Sequence, residues 1–148
     1  MNRRALLVAA TLAASGLAGP VVAGGAADAS TPPIRIVKIR YAQSGTNLDT
    51  EYVVVKNTTA KDRFISGWKM VSAPSTDNQY YVFPSTLIRH GQTVTLYTGK
   101  GTNVAGKRYW GSTTPRWDNA GDKAILHNKA GTVVDVCQYA GGGTTAYC

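Results

Sequence analysis

From residue 34 onward, apolar and polar side chains alternate in short runs separated by turn residues. The runs are 34–41, 51–57, 64–72, 79–84, 93–98, 123–128 and 132–139, with a long Gly-rich segment, 99–121, between the fifth and sixth. Such alternation puts successive side chains on opposite faces of a strand. No window repeats apolar residues at i, i+3, i+4 and i+7 over three turns, so helices are not expected. The second run places Val53 and Val55 on the face opposite Lys56, which assigns the two valines to the core. By the same alternation Tyr81 and Phe83 oppose Tyr80 and Val82, and Val94 and Leu96 point inward between threonines. Ala124 and Leu126 alternate with Ile125 and His127, and Val134 and Val136 oppose Asp135 and Cys137. In the first run Ile34 and Ile36 fall on one face and Val37 and Ile39 on the other, a conflict that a β-bulge would reconcile. Seven short strands with turns such as His90-Gly91 and Asn119-Ala120-Gly121 between them fit an all-β, antiparallel sandwich of about seven to nine strands.

The stretch before these runs has a different character. Arg3 and Arg4 precede an apolar segment, residues 5–17, that Gly19-Pro20 interrupts, and small residues follow to Ala27-Asp28-Ala29. This is the pattern of a secretory signal peptide, with cleavage expected after Ala29, or in second place after Ala23. The apolar segment is well short of the roughly 20 residues that a membrane span needs. The expected organisation is a signal peptide over 1–29 and one domain over 30–148, with its core in 34–140 and a Gly-rich tail in 141–148. The Ala-rich leader points to a bacterial export signal, and the mature chain is expected outside the cell.

Composition sharpens this picture. The 148 residues carry 16 Lys and Arg against 8 Asp and Glu. Removing residues 1–29 takes away Arg3, Arg4 and Asp28, leaving 119 residues with 14 basic and 7 acidic side chains. With 43% hydrophobic residues the chain is not a disordered polycation. Two cysteines are too few for a disulfide-built scaffold or a four-Cys zinc site.

Several segments taken in order resemble a known family. They are Glu51-Tyr52-Val53-Val54-Val55-Lys56-Asn57, Ile65-Ser66-Gly67-Trp68, Tyr81-Val82-Phe83-Pro84 and the stretch from Val94 to Asn103. Tyr109-Trp110-Gly111, Trp117-Asp118-Asn119-Ala120-Gly121-Asp122 and Gly131-Thr132-Val133-Val134-Asp135 complete the series. In this order and spacing the chain is similar to the lamin-tail domain, especially its secreted bacterial members. The resemblance implies an immunoglobulin-like β-sandwich without established catalytic residues, acting as an interaction module. It also implies that Gly67 kinks a strand and seats Trp68 in the core, and that Trp110 and Trp117 pack rather than bind.

No segment offers a ready catalytic constellation, so no catalytic residue, metal or cofactor is expected. His90 sits in a turn and His127 near a strand end, the Gly-x-Ser-x-Gly elbow is missing, and Glu51 is the only Glu. Gly99-Lys100-Gly101-Thr102 lacks the spacing of a phosphate loop. Asp118, Asn119 and Asp122 read as a turn that satisfies its own amides rather than as a calcium site. The segment 99–117 is the strongest binding candidate. It holds Lys100, Lys107, Arg108 and Arg116 with no acid, together with Tyr109, Trp110 and Trp117. Cations with interleaved rings suit a polyanion, with phosphates on the charges and bases or sugars on the rings. Lys100, Lys107, Arg108, Trp110 and Arg116 are therefore the expected contacts. Cys137 and Cys148 enclose the Gly-rich tail and are expected to form a disulfide that pins it, the alternative being a metal pair or free thiols.

The expectation is thus a secreted, non-enzymatic module whose partner is a polyanion, such as DNA or an anionic wall polymer, or another extracellular protein. The rivals are a small extracellular hydrolase or nuclease assembled from distant loops, and a protein-interaction module that ignores polyanions.

Overall fold

The computed structural model describes residues 31–73 and 79–148; the signal-peptide reading lies outside these residues. Eleven strands run through them: β1 (Ile34–Arg40), β2 (Tyr52–Asn57), β3 (Arg63–Phe64), β4 (Lys69–Ala73), β5 (Tyr80–Val82), β6 (Leu87–Ile88), β7 (Thr93–Tyr97), β8 (Lys107–Tyr109), β9 (Asp122–His127), β10 (Val133–Tyr139) and β11 (Thr145–Tyr147). A five-stranded sheet has the order β11-β1-β2-β7-β8, a four-stranded sheet the order β10-β9-β4-β5, and β3 and β6 form a small ribbon. This is the expected immunoglobulin-like β-sandwich. All pairs are antiparallel except β7 with β8, which run parallel.

The core forms where the inward positions of the two sheets meet. Ile34, Ile36 and Ile39 of β1, Val53 and Val55 of β2, and Val94 and Leu96 of β7 face Met70, Tyr81, Ala124 and Leu126 of the other sheet. The alternation conflict in the first run resolves as expected. The β1–β2 register shifts between Ile36 and Lys38, so the extra residue Val37 restores the inward direction for Ile39. A second shift on β10, between Val133 and Asp135, turns Asp135 and Cys137 inward and leaves Val136 outward. The two bulges cooperate. β11 pairs with β1 only over Lys38–Arg40, so the Ile36 N–H on that edge has no strand partner, and it donates to Asp135 Oδ2 at 2.6 Å.

Three features differ from the sequence expectation. The run 64–72 divides in two: Gly67, at φ +79°, turns the chain from the ribbon into β4. Trp68 then lies half-buried against the rim of the core, and the deeply buried indole is Trp117. The Gly-rich tail is not loose: β11 extends the five-stranded sheet, in register from Lys38↔Tyr147 to Arg40↔Thr145. Gly141 makes this return possible, since at φ +77° a Cβ there would sit 2.4 Å from the Asn119 carbonyl oxygen. Cys137 and Cys148 are bonded, with their Cα atoms 5.8 Å apart. Because Cys137 belongs to β10 and Cys148 follows β11, the bond ties one sheet to the other at the sandwich edge.

Candidate functional site

The cations of segment 99–117 do not converge. Lys100 is exposed between Gly99, which packs on Asp49, and Gly101, which packs on the ring of Tyr109. A Cβ at Gly101 would meet the Tyr109 ring at 2.4 Å, so close packing accounts for that glycine, whereas at Gly99 the end of the exposed Asp49 side chain would have to move. Arg108 points inward from β8 and is 8% exposed. Its guanidinium donates to Thr86 Oγ1 and to the carbonyls of Val104, Lys107 and Ser85, which holds β8 against the approach to β6. Committed to these bonds, it is not available on the surface, so Arg108 leaves the set of expected contacts. Arg116 lies beside Trp117, Asp118 and Asp122, with its guanidinium 5.8 Å from the centre of the Trp110 ring. Trp110 itself packs between Tyr81, Trp117 and Arg116 and serves as a bridge to the core.

Lys107 instead joins a larger group. The outward positions of the five-stranded sheet are Thr145 and Tyr147 on β11, Arg35, Lys38 and Arg40 on β1, and Tyr52, Val54 and Lys56 on β2. On β7 they are Thr93, Thr95 and Tyr97, and on β8 Lys107 and Tyr109. Five of these side chains are cations and four are tyrosines, and no Asp or Glu occupies an outward position on the five strands. Asp49 lies beyond the strand ends, against Gly99. The rings of Tyr97 and Tyr109 stack with centroids 5.2 Å apart, and Tyr52 lies tilted against Tyr97 at 5.7 Å. The Lys38 ammonium sits 5.3 Å from the Tyr52 ring centre and 5.6 Å from that of Tyr147. Its hydrogen bond with Tyr52 raises its pKa above the usual lysine value, so the charge is secure at neutral pH.

The remaining candidates for chemistry are occupied with architecture. His90 Nδ1 bonds the Thr59 carbonyl at 2.6 Å, and Asp62 accepts from the backbone N–H of His90 rather than from its ring. His127 Nδ1 bonds the Gly131 carbonyl at 3.0 Å. Asp118 Oδ1 accepts from Ala120 N, and Asp122 Oδ2 accepts from Ser72 Oγ and Asp118 N, as expected of a turn that satisfies its own amides. Glu51 has a role that the sequence reading did not assign. It is fully buried, and its Oε1 accepts from Thr98 Oγ1, Arg116 N and Trp117 N, stitching both ends of segment 99–117 to β2. Burial raises its pKa above the ordinary carboxylate value, and the bonds from Arg116, Thr98 and Trp117 only partly oppose that. Its signal was present in the sequence: one Glu at the head of a valine run, on the same alternate face as Val53 and Val55.

The basic face was hidden for a different reason. Each strand contributes one to three of its residues, and only the register brings Lys38, Lys56 and Lys107 onto one surface. The usable hint was that Arg35, Lys38 and Arg40 fill polar positions among Ile34, Ile36 and Ile39.

Compared with known proteins, residues 27–141 match the family model described as the Lamin Tail Domain. No curated protein matches the chain.

Proposed function

The chain belongs to the lamin tail domain family, whose members are immunoglobulin-like interaction domains, and from that premise we propose that it is an exported, non-catalytic module that binds an extracellular polyanion. The observation that carries this reading is the outer face of the five-stranded sheet, where Arg35, Lys38, Arg40, Lys56 and Lys107 share a surface with no outward acid. Clustered cations on a broad face attract a polymer of phosphates or carboxylates and release its counterions on binding. Lys100 is exposed next to Gly101, which packs on Tyr109; Trp110 packs against Tyr81, Trp117 and Arg116 and holds no outward position on this sheet. Export is supported by the leader pattern in residues 1–29 and by the Cys137–Cys148 bond, which suits an oxidising compartment. Among the described residues no helix is long and apolar enough to cross a membrane.

The test is affinity for DNA, and for an anionic wall polymer, as a function of salt. Five contacts to a flexible polyanion correspond to a log–log slope of about −3 to −4. An affinity that does not change from low to high salt overturns the reading. One observation favours a second reading: the outer face of the four-stranded sheet exposes Tyr80, Val82, Val133 and Val136, a surface suited to a protein partner. A salt-insensitive, concentration-dependent rise in mass is its signature.

A further inference from the structure

Phe64 on the β3–β6 ribbon stands clear of the fold. It is 68% exposed, whereas the exposed valines, Val82, Val104, Val133 and Val136, lie between 45% and 51%. Leu87 is directly opposite it in the ribbon and is also exposed, while Ile65, Thr86 and Ile88 turn the other way and are buried. The segment that carries Val104 adjoins them: Leu87 and Ala105 line one cleft, and the Arg108 guanidinium donates to the carbonyls of both Ser85 and Val104. The ribbon is also tied down from beneath. The buried Asn57 amide donates to the carbonyls of Lys61 at 2.8 Å and Ile88 at 2.9 Å, which fixes both sides of the ribbon to the end of β2. Exposed cations border the apolar group, Lys61 and Arg63 beside Phe64 and Arg89 two residues after Leu87. Asp62 is the only acid within three residues of Phe64 or Leu87, and its Oδ1 accepts from the backbone N–H of His90.

We infer that the ribbon docks on an anionic lipid bilayer, with Phe64, Leu87 and Val104 entering the interface and Lys61, Arg63 and Arg89 meeting the lipid phosphates. The site is separate from the polyanion face and does not rest on that reading. Two features select the partner. A protein would have to offer Phe64 a pocket of matching shape, whereas the headgroup–acyl boundary of a bilayer opens around any projecting apolar group. The flanking charge then selects the lipid: three cations against one acid are attracted to an anionic leaflet and gain nothing from a neutral one. Neither contribution suffices alone. A few apolar side chains hold a bilayer only weakly, as a single lipid chain does, and the cations supply the second signal.

The experiment is co-sedimentation with vesicles of about 3:1 phosphatidylcholine to phosphatidylglycerol, and with vesicles of phosphatidylcholine alone. Binding to the anionic vesicles is expected to exceed binding to the neutral ones by about a hundredfold. Phe64→Ser should lower anionic-vesicle binding about tenfold, and Phe64→Leu, which stays apolar, should retain it. Lys61→Ser with Arg89→Ser should lower it about thirtyfold. In Phe64→Trp, bromine on the acyl chains should quench the added emission, with the native protein as baseline. A thermal melt of each variant confirms that it is folded, and Phe64→Ser should keep native affinity for DNA. Absence of vesicle binding, equal binding to both vesicles, or no loss in Phe64→Ser overturns the proposal and leaves the polyanion reading to its own test. Vesicle binding that survives Phe64→Ser but is lost in Lys38→Glu with Lys107→Glu would assign the lipid to the sheet face, and the ribbon proposal falls. A lipid-free, concentration-dependent rise in mass that Phe64→Ser abolishes would make the ribbon a protein contact and overturn it as well.

Discussion

On the five-stranded sheet the outward positions of β1, β2 and β8 hold Arg35, Lys38, Arg40, Lys56 and Lys107 around a row of tyrosines. On the four-stranded sheet the equivalent row, read across the strands, is Val136, Ile125, Val71 and Tyr80, and the row beside it ends in Val133 and Val82. Only Lys69 and Lys123 bring full charge to that face, and the Lys69 ammonium lies 5.1 Å from the Tyr80 ring centre. Both sheets obey the same two-residue period, and both bury their other side in the same core. The difference lies wholly in what fills the outward positions, which the core does not constrain. The cations on the two faces are therefore unequal, Arg35, Lys38, Arg40, Lys56 and Lys107 on one against Lys69 and Lys123 on the other. A cationic face attracts at long range and is weakened by salt; an aliphatic face attracts only in contact and is indifferent to it.

The most direct way to break this comparison is to reverse charge on each face in turn. Lys38→Glu with Lys107→Glu should weaken polyanion binding about a hundredfold and flatten the salt slope by about one per lost contact. Lys69→Glu with Lys123→Glu makes the same change in net charge on the opposite face and should cost less than about threefold. Equal losses in both pairs, measured by anisotropy against DNA, would reduce the effect to net charge and dissolve the distinction between the faces.

A somewhat smaller effect is expected at the seam. The Cys137–Cys148 bond closes a short loop and joins the two sheets, and by chain entropy its loss should destabilise the fold by about 2 kcal/mol. In Cys137→Ser with Cys148→Ser, denaturant unfolding should report that loss. Hydrogen exchange should place it unevenly. Amides of β11 and of Lys38–Arg40 on β1 should lose protection, because their pairing ends at the clasp, while β4 and β9 keep theirs. Binding should fall modestly, since Tyr147 and Lys38 are packed together at that edge. Uniform loss of protection over both sheets would show the bond to be a global staple rather than an edge clasp.

How much of this was legible in the sequence follows from the range of each signal. Alternation over five or six residues was enough to place Val53, Val55, Val94 and Leu96 in the core and to put Ala124 and Leu126 on one common face, and the double phase of 34–41 was enough to locate a bulge. The cysteine pair was readable because one partner lies in a strand and the other ends a short tail. Features that depend on pairing were not readable. β8 is three residues within a Gly-rich segment, and its partner β7 runs parallel to it. β11 is three residues of a tail whose composition reads as loose until Gly141 turns it back. The basic segment 99–117 shows composition without direction. It supplies Lys107 to the outer face of β8, Arg108 to the interior and Arg116 to the ring of Trp110, because alternation along β8 and the fold of the chain back onto Glu51 send neighbouring cations in different directions.

Glu51 provides the next test, between the two faces rather than on either. Burial raises its folded-state pKa above the unfolded value, so the folded state binds the proton more tightly. The stability this contributes is fully present below the unfolded carboxylate pKa and is lost as pH rises through the raised value. Glu51→Gln keeps an acceptor for Thr98, Arg116 and Trp117 and removes the titration. Thermal melts from acid to neutral pH should fall for the native protein across that window and stay flatter for the variant, with a difference of about 1 kcal/mol at neutral pH. Polyanion binding should be the same in both, because Glu51 faces the core and not the sheet surface. A change in binding without a change in stability would mean that segment 99–117 takes part in the site.

The smallest effect is expected on the aliphatic face, and it tests whether that face is independent of the other. Val136 is 45% exposed and lies in register with Ile125 on a sheet surface with no cation beside it in the row. Val136→Thr keeps the β-branch and the strand preference and exchanges one methyl for a hydroxyl that water can reach. Stability should change by no more than about 0.5 kcal/mol, as for other exposed substitutions. Polyanion affinity should stay within about twofold, because the core separates Val136 from Lys38 and the other cations. If the face docks a protein, the variant should lower the apparent mass at high concentration, since a hydroxyl in a closed apolar contact needs a partner that the valine did not. Sedimentation equilibrium of the native chain and the variant reads this directly. A drop in polyanion binding in the same variant would join the two faces into one surface, and the asymmetry between the sheets would then describe a single site that wraps the edge.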